Sequence, residues 1–483
     1  MRREGAEARL IDESRLTTRR NAFGPTLMDA EAIFTAAGRL IEAADREVDI
    51  MTFAVEPDSE PYLELVRAFG RRVASRPIVA APYRLRIYTD HISTLFSGGL
   101  ARRKAQSILK PWIDLFRAHR IDPQLVQIEV YVHAHGTPVY HHGARYSVHD
   151  KMLIADGAYL HIGGANPQAK NDFRHPERDT AIVVKGEVAS AALDAFDALW
   201  KHANFACTVE ADGRDYRSRC TDRQSPSEVE HADAVKHPSL DEFGVPATAC
   251  LPITLISKGK RGYFNVAGYS NPWAKGVLAA VSTAERSIDL TSPNFNTPPL
   301  QGALVDAMAK RDVRVRLLLP YERNEIQVNG IGGFGSNSET IRVLRACAVV
   351  ARGASEAEYR RVTANFSGGW WVAENQASRF TGDGPGCDHI KFASIDEQAL
   401  IVGSANLDDQ SFYHSSETSI LIDNPVVTRA VSRFVFEPEW ARSERFTLFT
   451  RPRGEAIPTT PSGPDVAGTD ARGLCAGLGY SLK

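Results

Sequence analysis

Two stretches of this chain carry side chains suited to one chemistry, and they carry them at the same spacing. His149 to Asn166 reads HDKMLIADGAYLHIGGAN, and His389 to Asn406 reads HIKFASIDEQALIVGSAN. The pairs His149/His389, Lys151/Lys391, Asp156/Asp396, Gly163/Gly403 and Asn166/Asn406 share one offset of 240 residues. Side chains alternate along a strand, so His149 and Lys151 share a face, as do His389 and Lys391. An imidazole beside an ammonium is electrostatically awkward unless an anion lies between them. Two such pairs, brought together by pseudo-twofold symmetry, offer two ammonium groups and two imidazoles to one phosphate. Gly163 and Gly403 free the backbone for close approach, and Asn166 and Asn406 can donate amide hydrogens to phosphate oxygens. For either stretch alone, a structural histidine in an ordinary strand is a fair alternative. The repeat argues against it, because sheet packing does not demand Lys and Asn at those positions.

The elements that must position these residues repeat as well. AADREVDIMTFAVEPDSEPYLELVRAFGRR followed by YRLRIYTD precedes the first stretch; STAERSIDLTSPNFNTPPLQGALVDAMAKR followed by VRVRLLLP precedes the second. Each reads as helix end, apolar strand, loop, amphipathic helix and second strand. Asp49 and Asp289 keep the 240-residue offset, while Arg84-Leu85-Arg86 and Arg314-Val315-Arg316 stand 230 apart. Strand–helix–strand order predicts an α/β fold with a mixed sheet and helical crossovers in each half. Within the first motif, Val148 to Ala155 and Tyr159 to Ile162 read as strands joined by a hairpin at Asp156-Gly157. The organisation expected is an N-terminal segment (1–24), a first half (25–207), a polar linker (208–246), a second half (247–450) and a Pro/Gly/Thr-rich tail (451–483).

The duplicated pattern H-x-K-x4-D-x6-G-[GS]-x-N resembles the phospholipase D superfamily, over roughly residues 25–207 and 247–440. The stretch GSANLDDQSF, Gly403–Phe412, is similar to the bacterial phospholipase D and cardiolipin synthase pattern, with Gln410 where that pattern has Arg; the first half has Gly164 where the second has Ser404. The resemblance implies two homologous α/β halves with the active site at their interface, and double displacement through a phosphohistidine. It implies His149 as nucleophile and His389 as general acid, although the symmetry of the sequence permits the reverse. Lys151, Lys391, Asn166, Asn406 and Ser404 are implied as ligands of the phosphate oxygens. Asp179 and Glu417, 30 and 28 residues after their histidines, match the carboxylate that orients the imidazole. Asp156 and Asp396, at or beside the hairpin turns, are expected to support the site by ion pairing.

The function expected is hydrolysis or exchange of a glycerophospholipid headgroup at a membrane surface. A cardiolipin synthase-like transferase is the nearest alternative, a nuclease the alternative in substrate class, and a catalytically silent scaffold the alternative in kind. Composition bears on these. The chain has 483 residues, 57 basic and 59 acidic, for a formal net charge of −2. That balance lacks the basic excess of a nucleic-acid domain. No stretch reaches the length of apolar residues needed to cross a bilayer, and the start is no secretory signal peptide. A cytoplasmic or peripheral membrane location is expected, with non-classical export left open, and the site needs no oligomer. Cys207, Cys220, Cys250, Cys347, Cys387 and Cys475 are scattered without a CxxC pair, so free thiols and no metal or cofactor are expected.

Three further features invite functional readings. Gly330-Ile331-Gly332-Gly333-Phe334-Gly335 spells GxGxxG but lacks the strand that must precede a dinucleotide loop, so a loop near the site mouth is expected. His133, His135, His141 and His142 fit no strong metal-ligand spacing and are placed at the entrance. Trp370 and Trp371 point to opposite faces of an extended segment; one is expected in the core and the other, with Phe366, on an apolar lip that meets lipid.

Overall fold

The computed structural model describes residues 17–75, 82–90, 98–133, 147–174, 177–213, 215–222, 251–258, 272–321, 355–372 and 388–448, together with Asn337, Ile341, Leu344, Arg345 and Ala348. The GxGxxG loop, His135, His141, His142, the other four cysteines and the tail from 451 lie outside these residues.

The chain begins with β1 (Thr17–Thr18), β2 (Asn21–Leu27) and α1 (Ala30–Ala43). There follow β3 (Glu47–Thr52), α2 (Glu60–Ser75), β4 (Tyr83–Thr89), α3 (Gly98–His119) and β5 (Val126–Val132). The motif hairpin is β6 (Met152–Ala155) and β7 (Tyr159–Gly163), after which come β8 (Ala181–Gly186), α4 (Glu187–Trp200), β9 (Phe205–Asp212) and β10 (Asp215–Asp222). The second half opens with β11 (Ile253–Lys258), α5 (Pro272–Thr283), β12 (Ser287–Thr291), α6 (Pro298–Arg311) and β13 (Arg314–Leu319). It closes with α7 (Glu356–Asn365), β14 (Phe366–Trp370), β15 (Phe392–Ile395), β16 (Ala399–Gly403), β17 (Glu417–Asp423), α8 (Pro425–Arg442) and β18 (Glu444–Phe446).

Two nine-stranded sheets result, in the orders β10-β9-β5-β4-β3-β6-β7-β8-β2 and β18-β14-β13-β12-β15-β16-β17-β11-β1. In each, three strands run parallel through helical crossovers, β3-β4-β5 and β12-β13-β14, and the motif hairpin joins antiparallel to the first of them. This is the mixed α/β architecture expected. β1 belongs to the first residues of the chain but pairs with β11 of the second sheet, Thr17 opposite Thr254. One apolar core runs from the first sheet into the second, joining Ile154 and Val184 to Leu400, Val402, Ile420 and Phe436. A second core fills the other side of the second sheet, around Trp273, Leu317 and Phe412.

The repeat is visible in packing. Arg86 of β4 ion-pairs with Asp49 of β3 (2.5 Å) and Asp197 of α4 (2.7 Å), and lies over the rings of Phe196 and Trp200. Arg316 of β13 does the same with Asp289 (2.6 Å) and Glu437 of α8 (2.7 Å), over Phe436 and Trp440. Each guanidinium ties two parallel strands to the helix that covers them, with aromatic faces replacing the water it loses.

Three expectations are corrected here. Residues 208–222 of the expected linker are strand: β9 and β10 form a hairpin on the edge of the first sheet, and β10 alternates exposed and half-buried positions, as a polar edge strand does. That register sets Cys207 opposite Cys220, and the two form a disulfide rather than free thiols. Trp370 and Trp371 are both buried. Trp370 stacks on Phe446, while the Trp371 indole N–H donates to Glu439 of α8 (2.8 Å). Phe366 is buried as well, so none of the three forms an apolar lip.

Candidate active site

Regular pairing in the motif hairpins starts only at Met152 and Phe392, after the lysines. The preceding residues cross to the opposite half. Val148 bridges Ser416, and Asp388 bridges Arg178. The His149 N–H donates to the Ser416 carbonyl (3.1 Å), and the His389 N–H donates to the Arg178 carbonyl (2.7 Å). Each histidine is thereby set beside the first residue of a strand entry in the other half.

The side chains follow. His149 Nδ1 lies 2.7 Å from Glu417 Oε1, and His389 Nδ1 lies 2.5 Å from Asp179 Oδ2. The carboxylate that engages each imidazole thus comes from the opposite half, not from the half in which it follows a histidine. All four side chains are buried. Burial by itself would raise both carboxyl groups, yet the neighbouring imidazoles and lysines hold Glu417 and Asp179 below the usual carboxylate range. An ionised carboxylate on Nδ1 fixes the tautomer with its proton there and the lone pair on Nε2.

Lys151 Nζ and Lys391 Nζ each donate to the carbonyl of their own motif histidine (2.6 Å in both). Lys391 Nζ is also 2.7 Å from His389 Nδ1; because the buried Asp179 anion takes the proton of that nitrogen, we read the lysine's hydrogen bond as the one to the carbonyl. Asn166 Oδ1 accepts from Thr52 Oγ1 (3.0 Å) and the Phe53 amide (3.2 Å), which leaves its NH2 as the group for an incoming acceptor. Asn406 differs: its NH2 lies 3.3 Å from Asp408 Oδ2, and its amide N–H donates to Ser411.

Three expected roles change. The Ser404 hydroxyl donates to Glu417 Oε2 (2.6 Å) and is fully buried, so it orients the carboxylate behind His149 rather than meeting phosphate. The carboxylates of Asp156 and Asp396 accept backbone N–H groups of residues 45–47 and 285–287 at 2.7–2.9 Å. Each sits at positive φ in its hairpin turn, five residues beyond the motif lysine, or about 16 Å at strand rise. They hold the hairpin to the strand beside it. Gly163 and Gly403 serve interstrand packing: a Cβ at Gly163 would lie 2.4 Å from the Thr180 carbonyl oxygen, and one at Gly403 would lie 2.4 Å from Ser419 Cα.

The structure adds residues that the motif does not name. Phe53, half-buried, places its ring 5.0 Å from that of His149 and 5.5 Å from Lys151 Nζ. The Ser411 hydroxyl donates to Glu417 Oε1 (2.7 Å). Asp150 accepts from Ser416 and from Thr418 Oγ1 (2.6 Å), and burial pushes it up to about 6. Lys258 is buried at the end of β11, opposite Glu417. Ser411 was within a quoted motif, but nothing in the sequence distinguished Lys258 from any other strand-end lysine.

Residues 277–440 match the family described as cardiolipin synthase, PLD-like domain. The chain is similar to a phospholipase D of Streptomyces antibioticus, 21% identical over 62% of this chain and 59% of that protein. It is also similar to a cardiolipin synthase of Halalkalibacterium halodurans, 23% identical over 65% of this chain and 50% of that protein. It therefore spans between half and three-fifths of the length of these relatives. The fold is similar to a phosphatidylserine synthase of Haemophilus influenzae, with a TM-score of 0.55, 12% identity and 92% coverage of each chain. The PLD-like domain match over residues 277–440 and the two relatives support the phospholipase D superfamily for this chain.

Proposed function

We propose that the chain is a phospholipase D-type enzyme that hydrolyses or exchanges the headgroup of a glycerophospholipid through a phosphohistidine. The observation that carries this reading is the pair of buried histidines, each tied at Nδ1 to a carboxylate of the opposite half. Two Nε2 atoms then remain, one to attack phosphorus and one to deliver a proton. In the first step His149 Nε2 forms the N–P bond, the P–O bond to the headgroup breaks, and His389 gives its Nε2 proton to the departing alkoxide. In the second, water or an alcohol loses its proton to His389 as its oxygen attacks phosphorus, and the N–P bond breaks. Lys151, Lys391 and the Asn166 amide neutralise the phosphate oxygens. The reverse assignment of the two histidines gives the same products.

The match to the cardiolipin synthase-type family model favours transfer to an alcohol acceptor as the second reading. No described helix is long and apolar enough to cross a membrane, so lipid is proposed to enter from a surface. Product analysis separates the possibilities. With vesicles of phosphatidylethanolamine and phosphatidylglycerol, hydrolysis yields phosphatidic acid, and a primary alcohol diverts product to the phosphatidyl alcohol. Phosphatidylglycerol alone, converted to a diphosphatidyl product, marks the transferase. Cleavage of single- or double-stranded DNA with every phospholipid left intact overturns the lipid reading.

A further inference from the structure

The two histidines rest on different carboxylates. His389 rests on Asp179, which Lys391 also faces at 3.9 Å. His149 rests on Glu417, and around that carboxylate the chain buries two more acids, Asp150 and Asp408. Asp408 accepts the Ser411 N–H (2.8 Å), and Asp150 accepts hydroxyls from both neighbours of Glu417. Three buried carboxylates beneath one imidazole require compensation by positive charge. Lys151 supplies some, but the proposed reaction needs it for the phosphate.

Lys258 is a second buried cation in this cluster. It is 3% exposed, lies directly opposite Glu417 in the β11–β17 pair, and donates to the Ser411 carbonyl (3.3 Å). Its charge is attracted by Glu417, Asp408 and Asp150, one acid from each of three segments. The Ser411 whose carbonyl it binds gives its hydroxyl to Glu417 Oε1, the oxygen that faces His149. We propose that Lys258 is a positioning residue for the reaction: its buried ammonium balances the acids beneath His149 and so sets the protonation of that imidazole. The role in catalysis rests on the reading given under Proposed function; the coupling of Lys258 to His149 does not. Burial brings the lysine down to about 7 despite its three acids, so its charge is itself responsive near neutrality.

The sign is unambiguous. Removing one positive charge makes every group in the cluster, Glu417, Asp150, Asp408 and the His149 imidazole, bind protons more readily. The test is an NMR titration of the full-length protein labelled at histidine, with the His149 signal identified by its loss in His149→Gln. In Lys258→Gln, which keeps a donor for the Ser411 carbonyl, the His149 midpoint is expected to rise by roughly one pH unit. His389 stays in place as an internal reference, and Lys258→Arg leaves both unmoved. Asp408→Asn, which removes a negative charge from the same cluster, is expected to lower the His149 midpoint. An unmoved His149 in folded Lys258→Gln overturns the proposal. If that variant does not fold, an unmoved His149 in Asp408→Asn overturns it. The acid limb of turnover on a phospholipid should move with the midpoint. A protein that cleaves no phospholipid would sink the functional reading while the titration still decides the coupling.

Discussion

At the scale of single residues, the two motifs differ at one position with a structural reason. Gly164 stands where the second half has Ser404. A Cβ at Gly164 would lie 2.2 Å from Asp179 Oδ1, so the shorter carboxylate at this site excludes any larger residue beside it. In the second half the longer Glu417 reaches His149, and Ser404 bonds its free oxygen. The pairs Gly164/Asp179 and Ser404/Glu417 are therefore two solutions to one packing problem. Gly164→Ala is expected to push Asp179 off His389 and reduce turnover by roughly 10²-fold, since a displacement near 1 Å of a catalytic group costs about that much. Ser404→Ala removes one hydrogen bond to a charged group and should cost about tenfold. Steady-state kinetics on vesicles, with a thermal melt to establish folding, checks both; a Gly164→Ala enzyme within twofold of the parent would contradict the packing argument. The repeated histidines, lysines and asparagines stood out in the sequence because residue type at fixed spacing is a linear signal. Lys258 did not, because its meaning lies in which strand it opposes.

Elements carry the repeat further than the motif does. Asp49 and Asp289 stood out in the sequence as a matched pair, and the structure supplies their purpose in the Arg86 and Arg316 clusters. The helix partners Phe196, Asp197 and Trp200 repeat as Phe436, Glu437 and Trp440 at the same 240-residue offset. They escape a reading of strands alone because an amphipathic helix accepts many residue pairs at those positions. The misreading of the tryptophans has the same origin. Alternation along β14 does separate Trp370 from Trp371, but both are covered, Trp370 by the stacked Phe446 ring and Trp371 by α8, where its indole N–H meets Glu439. The two Arg clusters differ in exposure: the Arg86 side chain is 1% exposed, that of Arg316 17%, and its partner Glu437 44%. Asp49→Ala leaves a guanidinium buried with half its compensation and is expected to destabilise by about 3–5 kcal/mol. Asp289→Ala leaves Arg316 nearer solvent and should cost less, about 1–2 kcal/mol. Urea unfolding of the two variants gives the comparison, and equal losses would show that exposure does not govern these clusters.

For the whole molecule, the consequence of the crossed carboxylates is that neither half holds a complete site. Glu417 holds His149 and Asp179 holds His389, so each imidazole depends on the half that does not contain it. The apolar core that runs between the sheets and the pairing of β1 with β11 bind the halves into the body that this exchange needs. Sequence order placed each carboxylate after a histidine of its own half, and no local pattern records that the strand entries cross. The expected outcome is one site per chain, assembled within that chain. His149→Ala and His389→Ala should each lose turnover by several orders of magnitude, because attack and protonation belong to one reaction. Two independent sites would instead leave each variant about half the parent's activity. A site built between chains makes a third, distinct outcome: mixing the two inactive variants, after joint unfolding and refolding, would pair an intact His149 with an intact His389 and return part of the activity. With Glu417 and Asp179 both supplied inside one chain, the refolded mixture should stay inactive at every protein concentration, and recovered turnover that rises with concentration would refute the intrachain site.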